Sequence, residues 1–261
     1  MVRFAVIGDY GDGGAGEASV AALVDSWNVD FVVTAGDNNY KVGSAETIDE
    51  HIGQFYHGYI APYNGAYGQG ADINRFFPVP GNHDWGLGSL APYLDYFTLP
   101  GNERYYTFTW GAVTFFMLDS DWSEPDGNTA DSVQAAWLQS ALAASDSPWN
   151  IVVLHHPPYS SGRHGDNTFA QWPFAEWGAD VVIGGHDHTY ERIVRDGIVY
   201  FVNGIGGAWR YDFGDPVEGS QFRYNADYGA MLVEADASSM RVQFITAGGE
   251  VVDTWIMVPT H

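Results

Sequence analysis

Five short apolar runs in this chain each stop at a polar loop, and those loops hold Asp9, Asp37, Asn82, His155 or His156, and His186 with His188. All are oxygen or nitrogen donors. Cysteine is absent, so no thiolate metal site, disulfide framework or cysteine nucleophile is available. Taken singly, an Asp after Gly caps turns, and Asn and Gly are ordinary turn formers. Gly185-His186-Asp187-His188 carries more information, because two imidazoles two residues apart on a loop have few structural uses. The ordered set points to metal binding. Loops past the carboxyl ends of strands in α/β sheets converge on a common crevice, so residues about 180 positions apart, such as Asp9 and His188, can meet there.

The elements that would place these residues follow from apolar spacing. Residues 2–8 read as a buried strand running into the glycine-rich loop that begins Gly8-Asp9-Tyr10-Gly11. Residues 17–27 put Val20, Leu23, Val24 and Trp27 on one helical stripe, and 30–35 form a second strand ending at Gly36-Asp37, which completes a strand-helix-strand unit. A helix is predicted over 44–55 with Ser44 as its N-cap, then a long loop, then a short strand running into Gly81-Asn82-His83-Asp84. A hairpin turning at Trp110-Gly111 is expected over 105–118, a helix over 131–144 and a strand over 151–154. Helix then strand recur over 169–183. From Ile193 the pattern changes to hairpins, the first turning at Asp196-Gly197, with a long loop over 212–225 and further strands to Val258. No linker, repeat or low-complexity segment divides residues 1–261, which read as a single domain.

The chain has 33 Asp and Glu against 10 Lys and Arg, a formal net charge of −23. Such a surface repels double-stranded nucleic acid and anionic membranes. Hydrophobic content of 46% with only 16% charged residues still indicates a chain that folds and buries a core. No stretch approaches about 18 uninterrupted apolar residues, so no transmembrane span is expected. Residues 1–7 are too short and strand-like for a signal peptide. The acidic excess suits extracellular or periplasmic surroundings, with the signal absent from this chain, but does not fix the compartment, since acidic cytosolic enzymes are also common.

In order, the blocks Gly8-Asp9-Tyr10-Gly11, Gly36-Asp37-Asn38-Asn39-Tyr40, Gly81-Asn82-His83-Asp84, His155-His156-Pro157 and Gly185-His186-Asp187-His188 cover nearly the whole chain. The set resembles the calcineurin-like metallophosphoesterases. Tyr40 narrows the resemblance to the purple acid phosphatases, which use a tyrosine three residues after the second aspartate as a ligand to ferric iron. What that implies here is an α/β fold (α+β in some schemes), a four-layer αββα sandwich of two mixed β-sheets with a dinuclear site at one edge. One ion, Fe(III), would take Asp9, Tyr40 and His188, and Asp37 would bridge. A divalent Fe, Zn or Mn would take Asn82, His155 and His186. The donor charges agree, since hard anionic oxygens suit a trivalent ion and an amide with two imidazoles suits a divalent one. His155 is preferred to His156 because the family ligand is followed one residue later by Pro, leaving His156 beside the ligands or packed.

The resemblance further implies hydrolysis of a small-molecule phosphate monoester by metal-bound hydroxide. His83 resembles the family histidine that binds phosphoryl oxygens or protonates the leaving group, and Asp84 is expected to orient it. His164 stands where related phosphatases keep a substrate-side histidine, and Arg163 beside it could hold a phosphate oxygen. His51, His57 and His261 are isolated in sequence. Asp119 follows an apolar strand, where turn capping explains it equally, and Trp85, Trp209, Tyr159 and Tyr211 could line a cleft, with core and loop packing the better default. Two rivals stand beside the monoesterase: a phosphodiesterase or nucleotide hydrolase with two divalent metals, and a binding module that has lost turnover.

Overall fold

A computed structural model describes residues 1–259 of the chain, so His261 lies outside the described residues. Numbered along the chain, strands β1 (Val2–Ile7), β2 (Phe31–Thr34), β3 (Phe76–Pro78), β11 (Gly229–Ala235), β12 (Met240–Thr246) and β13 (Val251–Met257) make one sheet in the order β13-β12-β11-β1-β2-β3. The second contains β4 (Tyr106–Trp110), β5 (Val113–Met117), β6 (Trp149–Val153), β7 (Val181–Gly184), β8 (Tyr190–Arg195), β9 (Ile198–Asn203) and β10 (Ser220–Tyr224), in the order β10-β8-β9-β7-β6-β5-β4. Both sheets are mixed. β1, β2 and β3 run parallel, as do β5, β6, β7 and β9, while the remaining pairings are antiparallel.

Period-two alternation explains the layering of the second sheet. Phe115, Met117, Ile151, Val153, Val181 and Ile183 join the core between the sheets. Their neighbours Phe116, Leu118, Val152, Leu154 and Val182 face the other way, against Leu138 and Leu142 of a helix. Between the sheets, Phe4 and Phe31 stack at 5.1 Å and both meet the edge of Phe115, at 5.1 and 5.5 Å. Farther along, Tyr190 of β8 stacks on Phe244 of β12 at 4.2 Å, and the Arg192 guanidinium reaches across to Asp253 of β13. These contacts seat one sheet on the other.

Helix α1 (Ala15–Ser26) connects β1 to β2, and its buried Val20 and Val24 belong to the larger core. The helix expected over 44–55 is replaced by turns, a π-helical turn Asp49–Gly53 and α2 (Gln54–Tyr56). Asn39 explains the early part, because its amide donates to the Ser44 carbonyl and its oxygen accepts the Thr47 hydroxyl, both at 2.8 Å. After the short α3 (Ala91–Tyr96), α4 (Val133–Ala143) begins where Ser132 Oγ accepts the Ala135 amide. Of the helix and strand read over 169–183, the strand is β7, whereas the helix shrinks to a 3-10 turn Thr168–Ala170 and α5 (Phe174–Trp177), with Pro173 between them and a left-handed Gly178 behind. Hairpin turns fall at Gly111 and at Asp196-Gly197, whereas the loop read over 212–225 ends in β10, paired with β8. Among the described residues no helix is long and apolar enough to cross a membrane.

Phe115 touches both sheets, so Phe115→Ala should cost about 3–5 kcal/mol in equilibrium denaturant unfolding.

Candidate metal centre

The parallel strands of both sheets deliver the donor residues to one edge. Asp9 follows β1, Asp37 follows β2, Asn82 and His83 follow β3, His155 follows β6, and His186 and His188 follow β7. Asp9, Asp37 and His186 adopt positive φ of 53°, 52° and 65°, a conformation that non-glycine residues seldom hold and that recurs at functional sites. Gly36, itself at φ 89°, leaves room for His155, whose Nδ1 would lie 2.6 Å from a Cβ there.

Two groups of donors form around Asp37. The Tyr40 hydroxyl lies 3.0 Å from Asp37 Oδ2, 3.3 Å from Asp9 Oδ1 and 3.1 Å from His188 Nε2. His155 Nε2 lies 3.4 Å from the other Asp37 oxygen, Oδ1, and 3.1 Å from Asn82 Oδ1. Donor atoms of Asp9, Asp37 and His188 fall within 4.8 Å of one another, as do those of His155, His156 and His186. Main-chain carbonyls set the imidazoles: His155 Nδ1 donates to Ala35 at 2.8 Å and His188 Nδ1 to Trp209, which leaves each Nε2 facing the other donors.

The electrostatics of these groups match a cation site. Burial raises the Asp9 carboxyl above its ordinary range, and nearby His188 and His155 only partly oppose it. For Asp37 burial also pushes upward, but His155, His83 and the His83 amide outweigh it and the net direction is down. Burial alone would lower His155 and His188, yet the facing aspartates carry both upward. Burial, then the two aspartates, pushes the Tyr40 hydroxyl well above its usual range. Protein groups alone therefore share protons where cations would sit, and a cation would reverse the shift on Tyr40. The donor set fits two metal ions.

A profile described as calcineurin-like phosphoesterase matches residues 2–190, and one described as iron/zinc purple acid phosphatase-like protein C matches 197–254. The chain belongs to the calcineurin-like phosphoesterase family. It is similar to purple acid phosphatase 17 of Arabidopsis thaliana, with 28% identity over 98% of this chain and 84% of that protein. Human tartrate-resistant acid phosphatase type 5 is 23% identical over 95% and 88%. Among solved structures, purple acid phosphatase PPD1 of yellow lupin superposes with a TM-score of 0.80 at 19% identity, over 98% of this chain and 53% of that one. GAP50, the anchor in the inner membrane complex of Plasmodium, gives 0.77 at 21% over 100% of this chain and 89% of that one, so the fold is shared with a protein described as an anchor. This family member is thus a purple-acid-phosphatase-like metallophosphoesterase, a hydrolase of phosphoric esters.

The structure corrects one expected contact. Asp84 does not orient His83: its Oδ2 turns inward to accept the Gly81 amide at 2.8 Å and the Asn38 side chain and amide at 2.9 and 3.2 Å. His83 Nδ1 donates instead to the Lys41 carbonyl, and its partly exposed Nε2 lies 3.9 Å from Asp37 Oδ2. His164 brings its ring within 4.2 Å of His186, and Arg163 lies over Tyr211, which stacks on His188 at 4.3 Å. His156 Nδ1 pairs with Ser120 Oγ at 2.9 Å, and burial followed by repulsion from His155 lowers it to about 3. Trp209 packs on Tyr40 and His188, whereas Tyr159 packs on Tyr200, away from these rings. Asp119 accepts Trp85 Nε1 at 2.9 Å.

Sequence reasoning missed three supports. Asn38 links the second and third loops, its oxygen accepting Tyr10 and Thr34 hydroxyls and its amide donating to Val79 and Asp84. His51 is not isolated, for it lies against Gly13 and toward the Gly11 and Tyr40 carbonyls. Asp187 is the third. Only the Gly-Asn-His-Asp spacing gave any signal for the Asp84 link; the others have none in sequence.

Burial, then repulsion from Asp37, pushes Asp84 up to about 7 in the protein alone. The folded state then holds a proton that the unfolded chain has released, so metal-free stability should fall as pH rises from about 4 to about 7. Asp84→Asn should flatten that slope in denaturant titrations at several pH values, and an unchanged slope would place the pH dependence elsewhere.

Proposed function

We propose that this chain hydrolyses phosphate monoesters at a dinuclear centre. In it Asp9, Tyr40 and His188 hold Fe(III), Asn82, His155 and His186 hold a divalent Fe, Zn or Mn, and Asp37 bridges. The observation that carries this reading is the divergence of the Asp37 oxygens, Oδ2 toward Tyr40 at 3.0 Å and Oδ1 toward His155 at 3.4 Å. One carboxylate thus serves two unequal donor sets, anionic oxygens on one side and neutral amide and imidazole on the other. When bound, the ions would supply activation of the attacking water and neutralise charge on the phosphoryl oxygens.

The chain's own residues then divide the remaining work. His83, with Nδ1 held by Lys41, presents Nε2 beside Asp37 to bind a phosphoryl oxygen or return a proton to the departing alcohol. Arg163 makes no ion pair among the described residues, so its charge is available to an incoming phosphate. His164 approaches from the same loop, next to His186. Arg163 and the ions would offset the repulsion that a net charge of −23 imposes on a phosphate ester. His156, held by Ser120 and kept neutral, supports the His155–His186 side without serving as a ligand.

Visible spectra and metal contents of native and Tyr40→Phe protein test the first site. A broad tyrosinate-to-iron band lost in Tyr40→Phe is expected, while a colourless native protein holding two zinc or manganese ions would refute Fe(III). His155→Ala should lose the second ion and His156→Ala should keep both, so the reverse pattern would transfer the ligand role to His156. Asp37→Asn should nearly abolish turnover, and Fe(III) should place the rate optimum below neutral pH. Retained activity with two bound ions in Asp37→Asn would remove the bridge from the scheme.

A further inference from the structure

Two buried carboxylates outside the proposed ligand set hold the loop that carries Arg163 and His164. Asp187 stands between His186 and His188 and is wholly buried. Its Oδ1 accepts the His164 amide at 2.8 Å and its Oδ2 accepts the Ser160 hydroxyl at 2.5 Å. Glu191, equally buried in β8, accepts the Ser161 amide and hydroxyl at 2.7 and 2.6 Å and the Ser220 hydroxyl at 2.6 Å. The loop closes tightly on Asp187, because Ser160 Oγ accepts the Gly162 amide at 2.9 Å and a Cβ on Gly162 would fall 2.3 Å from Asp187 Cγ. No side chain fits there. From this clamp His164 reaches His186, and Arg163 lies 5.3 Å from the centre of the Tyr211 ring.

We infer that Asp187 is a positioning residue: it ties the loop bearing His186 and His188 to the loop bearing His164, and so fixes where His164 meets the substrate phosphoryl group. The inference rests on the substrate-side role proposed for His164. An ionised Asp presents acceptors on both oxygens, one for each donor of the facing loop. Asn keeps one acceptor for the His164 amide but turns an N–H toward Ser160 Oγ, which already accepts the Gly162 amide and must redirect its own hydrogen, so the clamp on the loop loosens. Displacements near 1 Å at such a group can cost about 100-fold in rate. Glu191 braces the same turn from β8, through the Ser161 amide and hydroxyl.

The test uses metal-loaded enzyme and the variants Asp187→Asn, Gly162→Ala and His164→Ala, with both double variants containing His164→Ala, assayed for kcat, KM, pH profile and metal content. Asp187→Asn and Gly162→Ala should each lower kcat/KM by about 10- to 100-fold with both ions retained. Neither should have a further effect once His164 is Ala, because the loss travels through that ring. Gly162→Ala leaves the metal loop's sequence intact and so separates loop displacement from metal loss. Loss of metal in Asp187→Asn, a penalty that persists beside His164→Ala, or normal kinetics in Gly162→Ala would overturn the positioning role. Full activity of His164→Ala would instead refute the substrate-side reading of His164, an outcome distinct from the others.

Discussion

The structure depends on burying negative charge at the edge shared by its two sheets. Asp9 and Asp37 are fully buried, and Tyr40 lies over both. Removing ionised carboxylates from water costs several kcal/mol each unless strong partners replace the solvent. Imidazoles from the opposite sheet meet that need only in part, as the upward shift of Asp9 and the opposed shifts of Asp37 and His155 record. A pair of cations would complete the balance, so metal binding should stabilise the local structure as well as supply the chemistry.

Around that charge, neutral groups provide precision. The Ala35 and Trp209 carbonyls choose which nitrogen of His155 and His188 carries the proton. Asn38 and Asp84 form a buried hydrogen-bonded link between the loops after β2 and β3, so that Asp37, Tyr40, Asn82 and His83 are held as one unit. Asp187 and Glu191 do the same for the opposite wall. Three of the donor residues hold positive φ, a strain that loops accept only where surrounding contacts fix them.

The C-terminal part of the chain is needed for both sheets and for the site. β9 and β10 extend the second sheet, while β11, β12 and β13 extend the first on the side of β1. The segment between β9 and β10 brings the Trp209 carbonyl and the Tyr211 ring against His188. A boundary between the two matched profiles at residues 190–197 therefore falls in the β8–β9 hairpin, whose residues pack on both faces of the second sheet.

The donors themselves were legible in sequence, because short apolar runs ending at Gly-Asp, Gly-Asn-His and Gly-His-Asp-His declare both the strands and the residue types at their ends. Short apolar runs likewise marked most buried strands, and the helix read over 131–144 corresponds to α4 (Val133–Ala143). Helix limits were less legible where a side chain outside the stripe competes for its backbone and hydroxyl groups, as Asn39 does with residues 44–47, or where Pro173 and Gly178 cut a stripe short. Tertiary structure alone decided the supports. Asp84 faces Asn38 rather than its neighbour His83 because the third loop folds against the second. His155 and His188 are oriented by main-chain carbonyls, which every residue possesses and no residue type announces. Side-chain chemistry is written locally, but burial and hydrogen-bond partners belong to segments tens to hundreds of residues apart, and only packing brings those together.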